Sequence, residues 1–170
     1  MQRTYMKILK ESNEVLYFLE NYKKLTNKDL DKIITHSFKN KKKTIRLCTH
    51  KNKRSNLHEM FIVFPKNFYV RPQMHPKKDE SIILLKGKAM IFIFDHKGKI
   101  KDKLPLDKNN FYYQIPKKIC HCMVILSKFI VFYEVSLGPF RKKNTIYANW
   151  SPADDVAKIH NFQKKLLSSI

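Results

Sequence analysis

The sequence predicts a mainly β fold: a small barrel or sandwich preceded by one helix and followed by another. Three observations predict it. Eight short apolar segments separated by turn residues follow one another over about 90 residues, with no helical pattern between them. Helical spacing is confined to one segment on each side of that stretch. A chain of 170 residues with 43% hydrophobic and 12% aromatic content can bury one ordinary core, which excludes intrinsic disorder and two full domains.

The start, Met1-Gln2-Arg3, is basic with no long apolar stretch behind it, so it reads as lacking a signal peptide. Thr26 followed by Asn27, Lys28 and Asp29 marks a helix N-terminus, and Leu30, Ile33, Ile34 and Phe38 recur behind it at helical spacing. The lysine run 39–43, with Asn40 inside it, ends that helix in a solvated loop. Strands are expected at 45–49, 59–64, 68–75, 81–85, 89–94, 111–115, 121–126 and 129–136. Lys86-Gly87-Lys88 turns one apolar run into the next, and Asp95-His96-Lys97-Gly98 ends the second. The lysine-rich stretch 97–103 reads as another solvated loop. After Ser151-Pro152, Val156, Ile159, Phe162, Leu166 and Leu167 take helical spacing and form a tail helix that docks on the β unit. The expected organisation is an extension with one helix over 1–44, the β unit over 45–150 and the C-terminal helix over 151–170.

The net charge is +21, which points to anionic partners. Only five of the 35 basic residues are Arg, and no helix is patterned for a groove, so nucleic acid is not an expected partner. Three cysteines make no disulfide framework and favour a reducing, cytoplasmic compartment. Three glycines leave no phosphate-cradling loop of the Walker or dinucleotide type. The longest uncharged apolar runs, 89–94 and 129–133, have strand length and fall far short of a membrane span.

The chemistry concentrates between positions 67 and 87. In a strand Gln73 and His75 point to the same face, and Glu80 follows a four-residue turn at the start of the next strand. If His121 also faces the interior, it meets His75 and Glu80 there. Two imidazoles and one carboxylate suit a divalent transition metal and leave open coordination positions. The alternative is a polar interior without metal that binds a ligand directly. Gln73 would be a weak ligand or would hydrogen-bond a water on the metal. Cys120 and Cys122 flank His121, but strand alternation sends them to the opposite face, as small core residues. Arg71 shares the face of Gln73 and His75, either as a cation for an anionic substrate or in a rim salt bridge to Glu134. His58-Glu59 could supply an acid/base pair or sit at a strand end on the surface.

These spacings resemble the two cupin motifs. In the first, Gly, five residues, His-x-His, three or four residues, Glu, six residues, Gly, the slots fall on Asn67, Gln73, His75, Glu80 and Gly87, with four residues before Glu80. In the second, Gly, five residues, Pro-x-Gly-x-x-His, three residues, Asn, the slots are occupied by Asn110, Pro116, Lys118, His121 and Ile125. Asn stands at both opening glycines and is the non-glycine residue that best tolerates a left-handed turn. Within the cupins, several stretches resemble the WbuC family: Arg46-x-Cys48-x-His50, His58-Glu59-Met60, Tyr69-Val70-Arg71-Pro72 and His75-Pro76-x-Lys78-x-Glu80. Phe94-Asp95-x-x-Gly98, Phe132-x-Glu134, Gly138-Pro139-Phe140 and Ala148-x-Trp150-x-Pro152 extend the likeness, which runs from about residue 44 to 155. That family has His where this chain has Gln73, and an aromatic residue where it has Cys120.

The resemblance implies a single jelly-roll-like cupin barrel holding one divalent metal (Fe, Zn, Mn or Ni) through His75, Glu80 and His121. It implies action on a sugar or nucleotide-linked sugar in bacterial surface polysaccharide (O-antigen or capsule) synthesis. The metal would serve as a Lewis acid in an isomerase, epimerase or hydrolase reaction. His50 and Glu134 are the candidate bases, and Arg46, Arg71 and His58 the candidate substrate-binding residues. Barrels of this kind often form homodimers. Two other readings stay open: an Fe(II)-dependent dioxygenase, and a non-catalytic sugar- or polyanion-binding module.

Overall fold

A computed structural model describes residues 7–170; the basic start, residues 1–6, lies outside the described residues. The strands, numbered in chain order, form two facing sheets. One runs in the order β1 (Ile8–Lys10), β2 (Val15–Phe18), β3 (Ile45–Cys48), β4 (Leu57–Pro65), β11 (Phe129–Leu137), β6 (Glu80–Lys86) and β9 (Tyr112–Ile115). The other runs β12 (Ile146–Tyr147), β5 (Gln73–Met74), β10 (Cys120–Ile125), β7 (Ala89–Phe94) and β8 (Ile100–Leu106). Neighbours pair antiparallel except β2 and β3, which are parallel. This is a jelly-roll-like sandwich, not one closed cylinder.

Strand alternation sorts the side chains into three cores. Ile62, Phe64, Ile82, Ile91, Met123, Ile125, Ile130 and Phe132 fill the space between the sheets. Each such side chain contributes about 1.5–3 kcal/mol on burial. On the outer face of the larger sheet, Leu16, Phe18, Ile45, Leu47, Val63 and Val131 meet Leu30 and Ile33 of α1 (Asn27–Lys39). Outside the smaller sheet, Met90, Phe92, Phe94, Cys122 and Val124 meet Leu166 and Phe162 of α2 (Val156–Leu167). Both helices start on a side-chain cap. The Asp29 amide donates to Thr26 Oγ1 at 3.3 Å while Asp29 Oδ2 accepts from the Thr26 amide at 3.0 Å. Asp155 Oδ1 accepts from the Lys158 amide at 3.0 Å. Such caps contribute about 1 kcal/mol each.

Four segments differ from the sequence reading. The extension before α1 carries β1 and β2 as well as the expected helix. Leu16, Tyr17 and Phe18 are all buried, because β2 lies beside β3 with both of its faces covered, so the alternation that marks a strand is missing. The stretch 97–103, read as a loop, contains most of β8. That strand is at a sheet edge, where Pro105 costs no ladder bond and the exposed face takes lysines. Within 68–75 only Gln73–Met74 pairs as a strand, because Pro72 removes a donor and restricts Arg71. The short β12 had no periodicity to reveal it.

Candidate metal centre

The rows of side chains pointing between the sheets change character along their length. On β11 they run Ile130, Phe132, Glu134, Ser136, and on β4 Phe64, Ile62, Met60, His58. At one end the interior is hydrocarbon; toward the other the side chains turn polar, and a cavity of about 890 Å³ runs between the sheets with both kinds in its lining. Glu80 opens β6 opposite Ser136, and His121 lies on β10 opposite Gln73 of β5. His75 follows β5 immediately. Two sheets therefore deliver the three residues to one point.

His75, Glu80 and His121 are each at most 7% exposed and offer ligand atoms that all lie within 4.8 Å of one another. His75 Nε2 is 3.1 Å from Glu80 Oε1, and His121 Nε2 is 3.3 Å from Glu80 Oε2. The other ring nitrogens face backbone carbonyls, His75 Nδ1 that of Asn144 at 3.3 Å and His121 Nδ1 that of Ile119 at 3.0 Å. A carbonyl only accepts, so Nδ1 donates in both rings and each Nε2 faces Glu80, where it donates to the carboxylate when protonated and offers an inward lone pair to a metal when not. Despite its closeness to Oε1, His75 Nε2 is buried with no partner of hydrogen-bond geometry. A buried polar atom left this way costs about 1–3 kcal/mol. Two inward lone pairs beside a carboxylate, one of them orphaned, fit a divalent transition metal.

The electrostatics keep Glu80 ready to ligate. Burial alone would raise its pKa, but the imidazoles of His121 and His75 and the Lys78 ammonium hold it well below the usual carboxylate range. Lys78 Nζ is 3.0 Å from Glu80 Oε1 and donates to Ser136 Oγ at 3.1 Å. This leaves Oε2, which faces His121, the freer oxygen. Glu134 lines the same cavity. Burial first, and the charge of Glu80 second, push its carboxyl up to about 7 against the pull of Lys78, Arg46 and His75.

Gln73, Arg46, Arg71, His50 and His58 all line this cavity; Glu59, next to His58 on β4, takes the opposite face and accepts from Tyr133 Oη at 2.7 Å, so the two do not form an acid/base pair in the site. Gln73 is the strand partner of both His121 and Tyr147. Arg46 lies with its guanidinium carbon 5.2 Å from the Phe64 ring centroid. His50 and His58 stack at 4.1 Å with an interplanar angle of 14°. Both are buried rather than at the surface, and burial lowers both pKa values, with His50 and Lys78 adding to the effect on His58. Gly138 makes room for this pair, since a Cβ there would lie 2.6 Å from His58 Cδ2. Arg71 makes no salt bridge to Glu134. Its Nε donates to Ser151 Oγ at 3.0 Å and its Nη2 to the Ala148 carbonyl at 3.2 Å, with Tyr147 stacked at 5.1 Å. It thereby ties the segment after β12 across the cavity. Cys122 lies in the core under α2, with Cys120 packed against that core from its edge.

Three contributors had escaped the sequence reading. Lys78 stands in the His75-Pro76-x-Lys78-x-Glu80 stretch, whose spacing to Glu80 was the available signal. Glu11 comes from the turn between the two unforeseen first strands and Tyr17 from the second of them, and Tyr17 meets the His50 ring edge-on at 5.6 Å. Lys118 occupies the glycine slot of the second motif with φ of 67°, and its amide donates to the His75 carbonyl at 2.9 Å.

Comparison with known proteins gives few leads. A family model described as a domain of unknown function (DUF6016) matches residues 25–106. A search of the curated proteins finds no match. Similar solved structures include the capsular polysaccharide assembling protein CapF from Staphylococcus aureus, at 14% identity and a TM-score of 0.48, covering 60% of this chain and 31% of that one. They also include the oxalate decarboxylase formate complex of Lactobacillus farciminis, at 17% identity and a TM-score of 0.46, covering 56% and 27%. A third is the Cnp3 cupin domain of Schizosaccharomyces pombe, at 12% identity and a TM-score of 0.44, covering 55% and 64%. The chain spans less than two thirds of each. Among the described residues no helix is long and apolar enough to cross a membrane.

Proposed function

We propose that this chain is a metalloprotein of the WbuC kind that holds one divalent metal through His75, Glu80 and His121. Its substrate is an anionic carbohydrate, a sugar or nucleotide-linked sugar used in bacterial surface polysaccharide synthesis. The observation that carries the metal assignment is the convergence of two Nδ1-anchored imidazoles on a buried carboxylate, with His75 Nε2 unpartnered. The carbohydrate assignment rests on the sequence resemblance. A cavity of about 890 Å³ lined by Arg46 and Lys78 supports it, having the volume for a small ligand and two cations for a negative group.

When bound, the metal supplies a Lewis acid that polarises a substrate carbonyl or hydroxyl. The protein's own residues do the rest. Arg46 and Lys78 hold the anionic end of the substrate. Glu134, with its carboxyl near 7, gives or takes a proton at its carboxylate oxygen close to neutral pH. His50 and His58, kept neutral by burial, form a flat wall against the sugar. Arg71 holds the segment after β12 in place over the site and limits the entry of water.

The test is elemental analysis of the protein purified without added metal and after reconstitution. One transition metal per chain is expected, lost in His75→Ala and His121→Ala. A nucleotide-sugar panel read by thermal shift then finds the substrate class. Wild-type protein that takes up no metal after reconstitution overturns the metal assignment. Ligand stabilisation that is equal in His75→Ala makes the chain a metal-free binding module instead.

A further inference from the structure

A second cavity, of about 450 Å³, lies at the other end of the sandwich from the metal residues and shares only Phe68 and Tyr69 with the first. Its lining is unusual in charge. Lys41, Lys42, Lys43, Lys66 and Lys128 all border it, with Asn67 and the ring of Phe38, and no carboxylate does. Of the five, only Lys42 reaches an acid among the described residues, Glu14 at 3.9 Å.

We infer that this groove binds a diphosphate group. The lysines are placed by built structure and not by a loose run. Asn40 closes the end of α1, donating to the carbonyls of Asn13 at 3.2 Å and Thr44 at 2.7 Å and accepting from the Thr44 amide at 3.3 Å. The Lys43 amide donates back to the Asn40 carbonyl at 3.1 Å, and Lys43 itself takes the left-handed conformation at φ of 53°. The turn that presents Lys41 to Lys43 is thus tied at both ends. On the other side, Lys66 and Lys128 extend the paired ends of β4 and β11, and the Lys66 amide donates to the Lys128 carbonyl at 3.0 Å. Like charges directly opposite each other on paired strands repel, and three consecutive lysines facing them add to that cost. An anion between the two sets removes it.

The chemistry of the anion follows from the donors. Lys ammonium groups are point charges that suit phosphate oxygens without demanding a planar, bidentate partner. One phosphate group would leave most of the five without a partner. Two linked phosphates offer enough terminal oxygens and charge to engage both sets at once. The volume is within the range of small-ligand sites. This site is independent of the metal centre.

The experiment is calorimetric titration of the whole chain with inorganic pyrophosphate, in chelator, at salt from roughly 50 to 200 mM. Pyrophosphate should bind at one site per chain, at least about tenfold tighter than orthophosphate, and weaken as salt rises. Lys66→Glu/Lys128→Glu should lose at least about tenfold in affinity, while Lys97→Glu/Lys99→Glu, with the same charge change on a distant turn, keeps it. Equal loss in both double variants, or several pyrophosphates per chain, means diffuse attraction to a +21 protein and overturns the assignment. Loss in His75→Ala moves the anion to the metal centre and overturns it as well. Nucleoside diphosphates run in parallel identify the source. Binding at least as tight as pyrophosphate, with the same sensitivity to Lys66 and Lys128, assigns the groove to a nucleotide; binding of pyrophosphate alone assigns it to free diphosphate.

Discussion

Replacing Glu134 by Gln should make the metal-free protein more stable at alkaline pH and leave it almost unchanged at acidic pH. The carboxyl has an ordinary value of 4.5 and is pushed up to about 7 in the folded chain, first by burial and then by Glu80. An acid whose folded-state pKa is raised stabilises the fold only while protonated. Its contribution is full below 4.5 and is lost as pH rises through about 7. Each pH unit across that window costs about 1.4 kcal/mol, so the ionised group costs about 3 kcal/mol by pH 8. Glu134 is half-buried, and solvent screening puts the real figure below that. Glutamine keeps the shape without the charge. For a chain of this size about 1 kcal/mol shifts Tm by about 2–4 °C, so a gain of roughly 4–10 °C is expected at pH 8. His50 and His58, whose lowered pKa values make stability fall as pH drops below 6.5, are present in both proteins and cancel in the difference. The assay is thermal unfolding by circular dichroism of wild type and Glu134→Gln from pH 5 to 8 in chelator. If the two Tm profiles run parallel, Glu134 does not titrate in the folded protein near neutrality and the acid/base role given to it fails.

Gly138→Ala should cost about 1–3 kcal/mol in urea unfolding, because the new methyl would sit 1.9 Å from the Ser55 carbonyl oxygen and 2.7 Å from His58 Nε2; a cost under about 0.5 kcal/mol refutes that close approach. Lys118→Gly should stabilise by up to about 1 kcal/mol, the relief of a strained left-handed lysine outweighing the glycine's greater freedom in the unfolded chain. A lower unfolding midpoint would show that the strain is absent. Gln73→His should tighten zinc binding by about tenfold or more in competition with a chromogenic chelator, by adding an imidazole beside His121. Unchanged affinity would place residue 73 outside ligand reach.

The parts of the fold that alternate or repeat every third and fourth residue were legible. β7, β10 and β11 carry one face into the sandwich and the other away from it, and Leu30 and Ile33 mark the buried side of α1. What escaped lacks such a signature. β2 is buried on both faces, β8 is an edge disguised by lysines, and β12 has two residues. The candidate ligands were legible because their spacing is set by strand and turn geometry, whereas the groups that orient them were not. His75 and His121 are oriented by carbonyls of Asn144 and Ile119, and any side chain carries a carbonyl. The alternative of an Arg71–Glu134 salt bridge failed for a related reason. The arginine's partners, Ser151 and Ala148, lie about 80 positions along the chain, and no local pattern links them.

The pairing of β2 alongside β3 has a consequence for how this site could diversify. The family match begins at residue 25, so the first two strands fall wholly before it. Yet Glu11, Val15 and Tyr17 from that ribbon close one flank of the cavity, while Leu16 and Phe18 anchor it to the core under α1. The candidate metal ligands and the residues that shape this flank are therefore written in separable stretches of sequence. Exchanging residues 8–18 would re-cut the ligand's pocket on the His50 side and leave His75, Glu80 and His121 untouched. Deleting them would move the open edge of the sheet from the three-residue β1 to β3 and take away this flank of the cavity, so one short ribbon sets both where the sheet ends and how wide the cavity opens.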